Sequence, residues 1–275
     1  MADQDPGTDM DAAAAVVIPC YRQAHLIRGA IESALLQSVP PAEIILVDDG
    51  SDDDLQSVAS SYPQVTFLQQ GNRGLAAARN TGLRAASSDK VIFLDADDLL
   101  LPDAVASGLA CFSAFPDAGF VYGGFREAKD DELSERPSSP LTRSDLIRCN
   151  WIAMIASVMF DRDKLVGIGG FNENLGMCED WDAYLRLSRR YSFGCHCNIV
   201  ATYVRHAGNM SNAVPKLRKW IRAVRKLEKA RGLTIDEMAA WHEGEAVWRS
   251  FYPRPARDPV FVRVRRRLAL MGWAA

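Results

Sequence analysis

Short apolar runs that stop abruptly at acids and turn formers constrain this chain more than any other feature. Residues 13–18 form such a run and stop at Pro19; residues 43–47 run into Asp48-Asp49-Gly50-Ser51; residues 91–94 run into Asp95-Ala96-Asp97-Asp98. Residues 65–68 and 120–122 make two more. Helical patterns lie between them. Leu26, Ala30, Ile31, Ala34 and Leu35 recur at helical spacing, residues 75–86 follow Gly71-Asn72-Arg73-Gly74, and Val105, Leu109 and Phe112 follow Pro102. A strand too apolar to alternate needs cover on both faces, and helices between successive strands supply it. The expected fold is α/β, a doubly wound and mostly parallel sheet flanked by helices.

The 275 residues are 48% hydrophobic, ample for a sizeable core. No apolar run approaches the roughly 18–20 residues that span a bilayer. The acidic start, MADQDPGTDMD, lacks the basic segment of a secretory signal and reads as a disordered lead over residues 1–11. Six cysteines without a repeated CxxC spacing suit a reducing, cytoplasmic setting. Cys195-His196-Cys197 lacks the second pair that a zinc site needs and reads as strand.

Charge is unevenly placed. The net is −3, yet residues 216–275 carry 15 Lys and Arg against 6 Asp and Glu. An acidic body with a basic tail suggests chemistry in the one and attachment in the other. The net charge argues against a dedicated nucleic-acid binder at the whole-chain level. The polar stretch 124–140 reads as an exposed loop, with a lid as one reading of it. A helix near 179–190 and a strand near 199–204 follow. Residues 216–231 place Leu217, Trp220, Val224 and Leu227 on one helical stripe among Lys and Arg. A second helix near 234–249 and a basic end, residues 260–273, complete the chain.

The two acid clusters carry the chemistry. In an open parallel sheet, ligands bind beyond the carboxyl ends of the strands, so both clusters would share one crevice. Carboxylates crowded together repel unless a cation or a donor-rich ligand lies between them, and Mg²⁺ takes one or two carboxylates plus substrate phosphates. Asp52, Asp53, Asp54 and Asp103 read instead as caps and turn formers, with carboxylates favouring a helix start. The first turn, Pro19-Cys20-Tyr21-Arg22, is not GxGxxG, and GxxxxGK[ST] is absent. A dinucleotide-dependent dehydrogenase and a P-loop enzyme are thereby disfavoured.

Ile18-Pro19-Cys20-Tyr21, Val47 to Ser51, Asn72-Arg73-Gly74 through Ala78-Arg79-Asn80, and Asp95 to Asp98 resemble, in order and spacing, the inverting family 2 glycosyltransferases of GT-A fold. Gly170-Phe171-Asn172-Glu173 followed by Glu179-Asp180-Trp181-Asp182 is similar to the acceptor-side acidic motif of that family, and His206 with Ser211 fits a terminal His-to-Ser pattern. The resemblance covers residues 13–212. It implies a GT-A domain over 12–212, with a nucleotide-binding half (12–110) and an acceptor half (111–212), and a basic helical extension over 213–275.

The resemblance also implies roles. Pro19, Tyr21, Asp48 and Asp49 would hold the nucleotide base, with Asp49 on the ring N–H. Asp95 and Ala96 would lie near the ribose. Asp97 would ligate Mg²⁺ or Mn²⁺ bridging the diphosphate, and His206 would complete the metal shell or touch the diphosphate. Arg79 would support the diphosphate or form a structural ion pair. Asp180 would be the general base and Glu179 would orient the acceptor. At helical spacing Glu179 and Asp182 share a face while Asp180 points elsewhere, which leaves Asp182 structural.

The expected activity is metal-dependent, inverting sugar transfer from a nucleoside-diphosphate sugar to a hydroxyl of a saccharide or lipid-linked acceptor, as in bacterial surface polysaccharide assembly. A sugar-nucleotide pyrophosphorylase would need a Gly-rich basic loop after the first strand. A catalytically silent nucleotide-sugar sensor or scaffold subunit is the rival from another class. Two roles stay open for the tail. It caps the domain, or it docks on anionic membrane through Trp220, Trp273 and Arg263, Arg265, Arg266 and Arg267, leaving the protein peripheral at the inner face of the membrane.

Overall fold

The computed structural model describes residues 13–130 and 132–252. The first half winds β1 (Ala14–Cys20), α1 (Ile27–Leu35), β2 (Glu43–Asp48), α2 (Leu55–Ser60), β3 (Val65–Gln69), α3 (Leu75–Ala85), β4 (Lys90–Phe93), β5 (Leu99–Leu100) and α4 (Ala104–Ala114). The second half holds β6 (Ala118–Lys129), β7 (Glu132–Arg136), α5 (Arg143–Arg148), β8 (Val158–Asp161), α6 (Arg162–Gly167), α7 (Glu179–Leu187) and β9 (Ser192–Val204). Two helices follow, α8 (Val214–Ala230) and α9 (Ile235–Phe251).

The strands lie in the order β3-β2-β1-β4-β8-β6-β9-β5, with β7 paired to β6. From β3 to β4 the neighbours are parallel, as the short apolar runs require. Beyond β4 the sheet is mixed: β8 runs antiparallel to both β4 and β6, while β9 is parallel to β6. Both faces are covered. On β1, Ala15 and Val17 point into one core with Phe93, Phe160 and Trp181, whereas Val16 and Ile18 point into the other with Ile31, Leu46 and Phe112. That two-sided burial is why these strands show no polar alternation.

Register brings the acids together. Cys20 is level with Asp48, and Val17 is level with Phe93, so Tyr21, Asp49 and Asp95 emerge at one edge of the sheet. The two-residue β5 pairs antiparallel with Thr202 and Ala201 of β9. It thereby places the Asp95–Asp98 turn beside the chain that leaves β9 toward His206.

The structure corrects two expectations about local form. Of the stretch 124–140, residues 132–137 are exposed as expected, but Gly124 is buried, Phe125 to Ala128 are half-buried, and much of the stretch is a ladder and not an irregular loop: Phe125↔Arg136 through Lys129↔Glu132 pair in register. Backbone hydrogen bonds hold this hairpin, and every residue of β7 is exposed, so no apolar alternation advertises it. Asp52 and Asp53 do not cap α2. Asp52 pairs with Arg22 at 2.8 Å, and Asp53 accepts the Ala24 N–H at 2.9 Å, so both latch the first turn.

The extension is part of the same core among the described residues. Ile221 and Val224 of α8 and Ala240 and Trp248 of α9 pack in one cluster with Phe120, Trp181 and Tyr184. The buried face of α8 runs through Arg218, Ile221, Val224, Arg225 and Glu228, while Leu227 is 36% exposed. The expected stripe is thus rotated, because buried Glu228 faces Arg143, Arg189 and Arg231. Carboxylates so deep persist only when paired. Residues 1–11, 260–273 and the arginines at 263–267 lie outside the described residues.

Candidate active site

A cleft of about 1150 Å³ opens at the carboxyl ends of β1, β2 and β4. Pro19, Tyr21, Asp49, Arg79, Asp95, Ala96, Asp97, Glu179, Asp180 and His206 all line it. Asp49 and Asp97 therefore share one hollow.

Asp48 is the exception. Its Oδ1 accepts the Ser51 N–H at 2.8 Å and its Oδ2 accepts from Gln69 Nε2 at 2.9 Å. It is 2% exposed and does not line the cleft, so its side chain folds the Asp48–Ser51 turn and the base-holding role expected of it has no geometric support. Strand alternation is the reason: successive side chains leave the strand on opposite faces. Asp49 reaches the cleft but is also a clamp. Its Oδ1 accepts from the Arg73 N–H at 2.9 Å and from Gln70 Nε2 at 2.7 Å, and its Oδ2 from the Gly74 N–H at 2.8 Å. These bonds seat the 71–74 loop that starts α3. Tyr21 is exposed, with the Arg22 guanidinium 5.0 Å from its ring centroid. Arg22 itself has a left-handed φ of 56°, fixed by its N–H donating to Ser51 Oγ at 2.9 Å.

Arg79 ties the two halves of the cleft. From α3 it donates to Asp95 at 2.6 Å and to Glu179 at 2.5 Å. Burial opposes its charge, but Asp95 and Glu179 outweigh burial and raise its pKa. It is structural in the sense that it joins strand tip to helix start, and its neighbours leave Asp95 Oδ2 open to the cleft.

Asp97 is held from one side. His206 Nε2 lies 2.8 Å from its Oδ2, and Asn209 Nδ2 donates to the same atom at 3.3 Å. The Gly208 N–H donates to His206 Nδ1 at 3.2 Å, so Nδ1 carries the lone pair and Nε2 carries the proton given to Asp97. As placed, His206 serves the carboxylate; taking a metal through Nε2 would need the other tautomer and would break the Gly208 bond. Among the described residues no three His, Cys, Asp or Glu side chains form a ready metal cage. The oxygen set does fit a hard divalent ion that shares its shell with phosphate, since among the described residues Asp95 Oδ2 and Asp97 Oδ1 have no protein partner. Burial, then Asp95 and Asp97, push neighbouring Asp98 up to about 9.

Asp180 and Glu179 open α7 at the opposite wall. Glu179 is committed to Arg79. Among the described residues Asp180 accepts only the Trp181 N–H, at 2.7 Å on Oδ1. Burial, reinforced by adjacent Glu179, raises it to about 7. The face assignment made from helical spacing fails here. Glu179 and Asp180 both meet the cleft because a helix's first turn opens toward what precedes it, while Asp182, fully buried, turns to Arg186 and Arg231, each at 2.7 Å. Its structural role stands.

Sequence reasoning passed over Asn80, Glu173 and Asn209. Asn80 sits in a motif and carries the loop before α7; Arg73 pairs with Glu173 at 2.8 Å across the same loop. Polar residues inside an otherwise apolar helix were the available signal for Asn80. Nothing local marked Asn209, whose partners lie 3, 5 and 112 positions away. Trp220 lines the cleft beside Gly176.

Residues 15–165 match the family described as Glycosyl transferase family 2. The chain is 30% identical over 206 residues to a chondroitin synthase of Escherichia coli, covering 71% of this chain and 29% of that protein. It is 27% identical over 187 residues to an uncharacterized glycosyltransferase of Haemophilus influenzae, covering 65% and 63%. It thus spans less than two thirds of either relative. Its fold is similar to residues 1–349 of Staphylococcus aureus TarS, with a TM-score of 0.70, 17% identity and coverage of 87% and 72%. It is also similar to a mannosyltransferase from Pyrobaculum calidifontis solved with GDP-Man and Mn²⁺, with a TM-score of 0.62, 17% identity and coverage of 95% and 80%.

Proposed function

Because the chain belongs to glycosyl transferase family 2, and is a glycosyltransferase of GT-A fold, we propose that it moves a sugar, with inversion, from a nucleoside-diphosphate donor to a hydroxyl of a saccharide or lipid-linked acceptor. The observation that carries this reading is the opening of Asp49, Asp97 and Asp180 into one cleft, with Asp97 anchored and Asp180 perturbed. TarS has been solved with UDP-GlcNAc and the Pyrobaculum enzyme with GDP-Man, so both donors are candidates.

Tyr21 and Asp49 border the base end of the cleft, and Ala96 and Asp95 its ribose region. Asp97, through its free Oδ1, and Asp95 would hold Mg²⁺ or Mn²⁺. The ion supplies charge stabilisation for the departing diphosphate. Arg79 keeps Asp95 and Glu179 in place. Asp180 removes the acceptor hydroxyl proton as that oxygen attacks the anomeric carbon. A base poised near neutrality serves best, since it is ionised yet still basic. With Glu179 committed to Arg79, Asp180 is the carboxylate left for that work, and one base suffices for attack opposite the leaving group.

Among the described residues no helix is long and apolar enough to cross a membrane. The reading extends to work at the cytoplasmic side, in surface polysaccharide assembly, with Lys216, Lys219 and Lys226 of α8 exposed toward an anionic surface. The test is a thermal-shift panel of UDP, GDP and dTDP with and without Mn²⁺. One diphosphate should raise the melting temperature by a few degrees, more with Mn²⁺, because a ligand of the folded state stabilises it. No shift with any of them would remove the donor site.

A further inference from the structure

Helix α7 carries a second polar side chain on the face of Asp180, one turn further on. Tyr184 lies four positions after Asp180. Residues at that spacing stack on one helix face, and helical side chains lean back toward the N-terminus, so Tyr184 covers the turn that holds the carboxylate. Its ring is fixed there. It is fully buried, stacks on Phe160 with centroids 5.9 Å apart and planes at 14°, and meets Phe120 at 5.3 Å.

The hydroxyl is unpaired. Among the described residues Tyr184 Oη is buried without a hydrogen-bond partner. Tyr122, in the same aromatic group, gives its O–H to the Ser139 carbonyl, and Trp181 gives its N–H to the Leu146 carbonyl. A buried donor left unpaired destabilises a fold, and phenylalanine would fill the same stack without that penalty. Burial first, and then the charge of Asp180, push the phenol well above its ordinary range, so it keeps its proton. Of the charges acting on it Asp180 is the strongest, ahead of Arg79, Glu179 and Asp95. Asp180 Oδ1 takes the Trp181 N–H, and its Oδ2 has no protein partner among the described residues. A free donor and a free acceptor thus share one helix turn.

We propose that Tyr184 is the positioning residue of the base: its O–H donates to Oδ2 of ionised Asp180 once that half-buried carboxylate turns toward it. The Trp181 N–H and the phenol then occupy one lone pair on each oxygen, and the second lone pair of either stays free for the acceptor hydroxyl. Catalytic hydrogen bonds are often long in an empty site and close in the working complex. The inference rests on Asp180 acting as the base, as proposed above, and adds what keeps that carboxylate ionised and aimed.

The full chain tests this with Tyr184→Phe, Asp180→Asn and the double variant. The first readout needs no substrate: the ¹³C signal of the Asp180 carboxyl, assigned by its loss in Asp180→Asn, is followed against pH. Glu179 on the same helix, Arg79 from α3, Asp95 past the end of β4 and the Cys178 thiol also face this carboxyl, and Tyr184→Phe leaves all of them in place. A donor to the ionised form lowers a carboxyl midpoint, so in Tyr184→Phe the midpoint should rise by about half a pH unit or more. The second readout is transfer from UDP-GlcNAc or GDP-Man to p-nitrophenyl glycosides. In Tyr184→Phe kcat should fall about tenfold, with donor and acceptor KM within about twofold of the parent. In the Asp180→Asn background the same change should cause no further fall, because the phenol acts through Asp180. The melting temperature should match or exceed that of the parent, since an unpaired hydroxyl leaves the core. An unmoved Asp180 midpoint overturns the proposal. So does an equal fall of kcat in both backgrounds, or a melting temperature several degrees lower, either of which makes the hydroxyl a packing group. A parent protein that transfers no sugar removes the activity proposed above, and the carboxyl midpoint still decides the contact.

Discussion

Asn80 and Phe171 are paired twice through one amide: Asn80 Nδ2 donates to the Phe171 carbonyl at 2.8 Å, and its Oδ1 accepts the Phe171 N–H at 2.8 Å. A side chain of α3 thus imitates a strand neighbour for the loop that leads to Glu179 and Asp180. Gly170 makes room for it. Its φ of 67° is left-handed, and a Cβ there would collide with Asn80 Oδ1. Asn80→Ala strands a buried N–H and carbonyl and should cost about 1–3 kcal/mol. Gly170→Ala adds backbone strain of about 1–3 kcal/mol. Chemical denaturation checks both, and parent-like midpoints would show that the loop is held by other contacts.

Asp180→Asn keeps the shape and removes the base. Transfer should fall about 10²–10⁴-fold, while the nucleotide-dependent thermal shift persists. Steady-state assays beside melting curves separate the two effects, and undiminished turnover would unseat Asp180.

The same carboxyl sets a pH dependence. Burial raises it to about 7, so the base form accumulates as pH rises and kcat/KM should climb with an apparent midpoint near 7. For stability the sign is opposite. A folded-state value above the unfolded value of about 4 means that folding binds the proton, so this group's contribution is largest in acid and declines as pH rises from about 4 to about 7. Asp180→Asn should flatten both profiles. A pH–rate curve level from 6 to 8 would contradict the assignment.

Asp97→Asn should abolish the Mn²⁺-dependent part of the thermal shift. His206→Ala and Asn209→Ala should leave the response present but shift its Mn²⁺ midpoint about 10–100-fold, as for residues that hold a ligand in place. If His206→Ala silences Mn²⁺ as fully as Asp97→Asn, the histidine ligates the ion directly.

Asp182 is fully buried between Arg186 and Arg231. Removing one side of such an arrangement leaves uncompensated charge, so Asp182→Ala should lose about 3–5 kcal/mol. Urea titration measures it. A loss under 1 kcal/mol would mean that water replaces the carboxylate.

What could be read along the chain was whatever local chemistry enforces. Apolar runs broken by Asp-Asp-Gly-Ser and Asp-Ala-Asp-Asp marked parallel strands and the acids at their tips, because a strand covered on both faces must be apolar throughout and must stop where polar groups meet water. The helix expected near 234–249 is α9, and its start is fixed by a capping box between Thr234 and Glu237 that shows in the structure. The hairpin of β6 and β7 could not be read this way, since its pairing is between backbones and every side chain of β7 is exposed.

Which acid does what was a matter for the tertiary structure. Asp48 and Asp49 are neighbours in sequence, yet one folds a turn and the other reaches the cleft, because a strand sends successive side chains to opposite faces. Arg79 meets Glu179 across 100 residues and Asp97 meets His206 across 109. Trp220 acquires its place against Gly176 only when α8 packs onto the domain. Sequence dictates which residues can carry charge, curvature or an aromatic face; the burial and partners that tune them arise from contacts between distant segments, and these exist only in the folded chain.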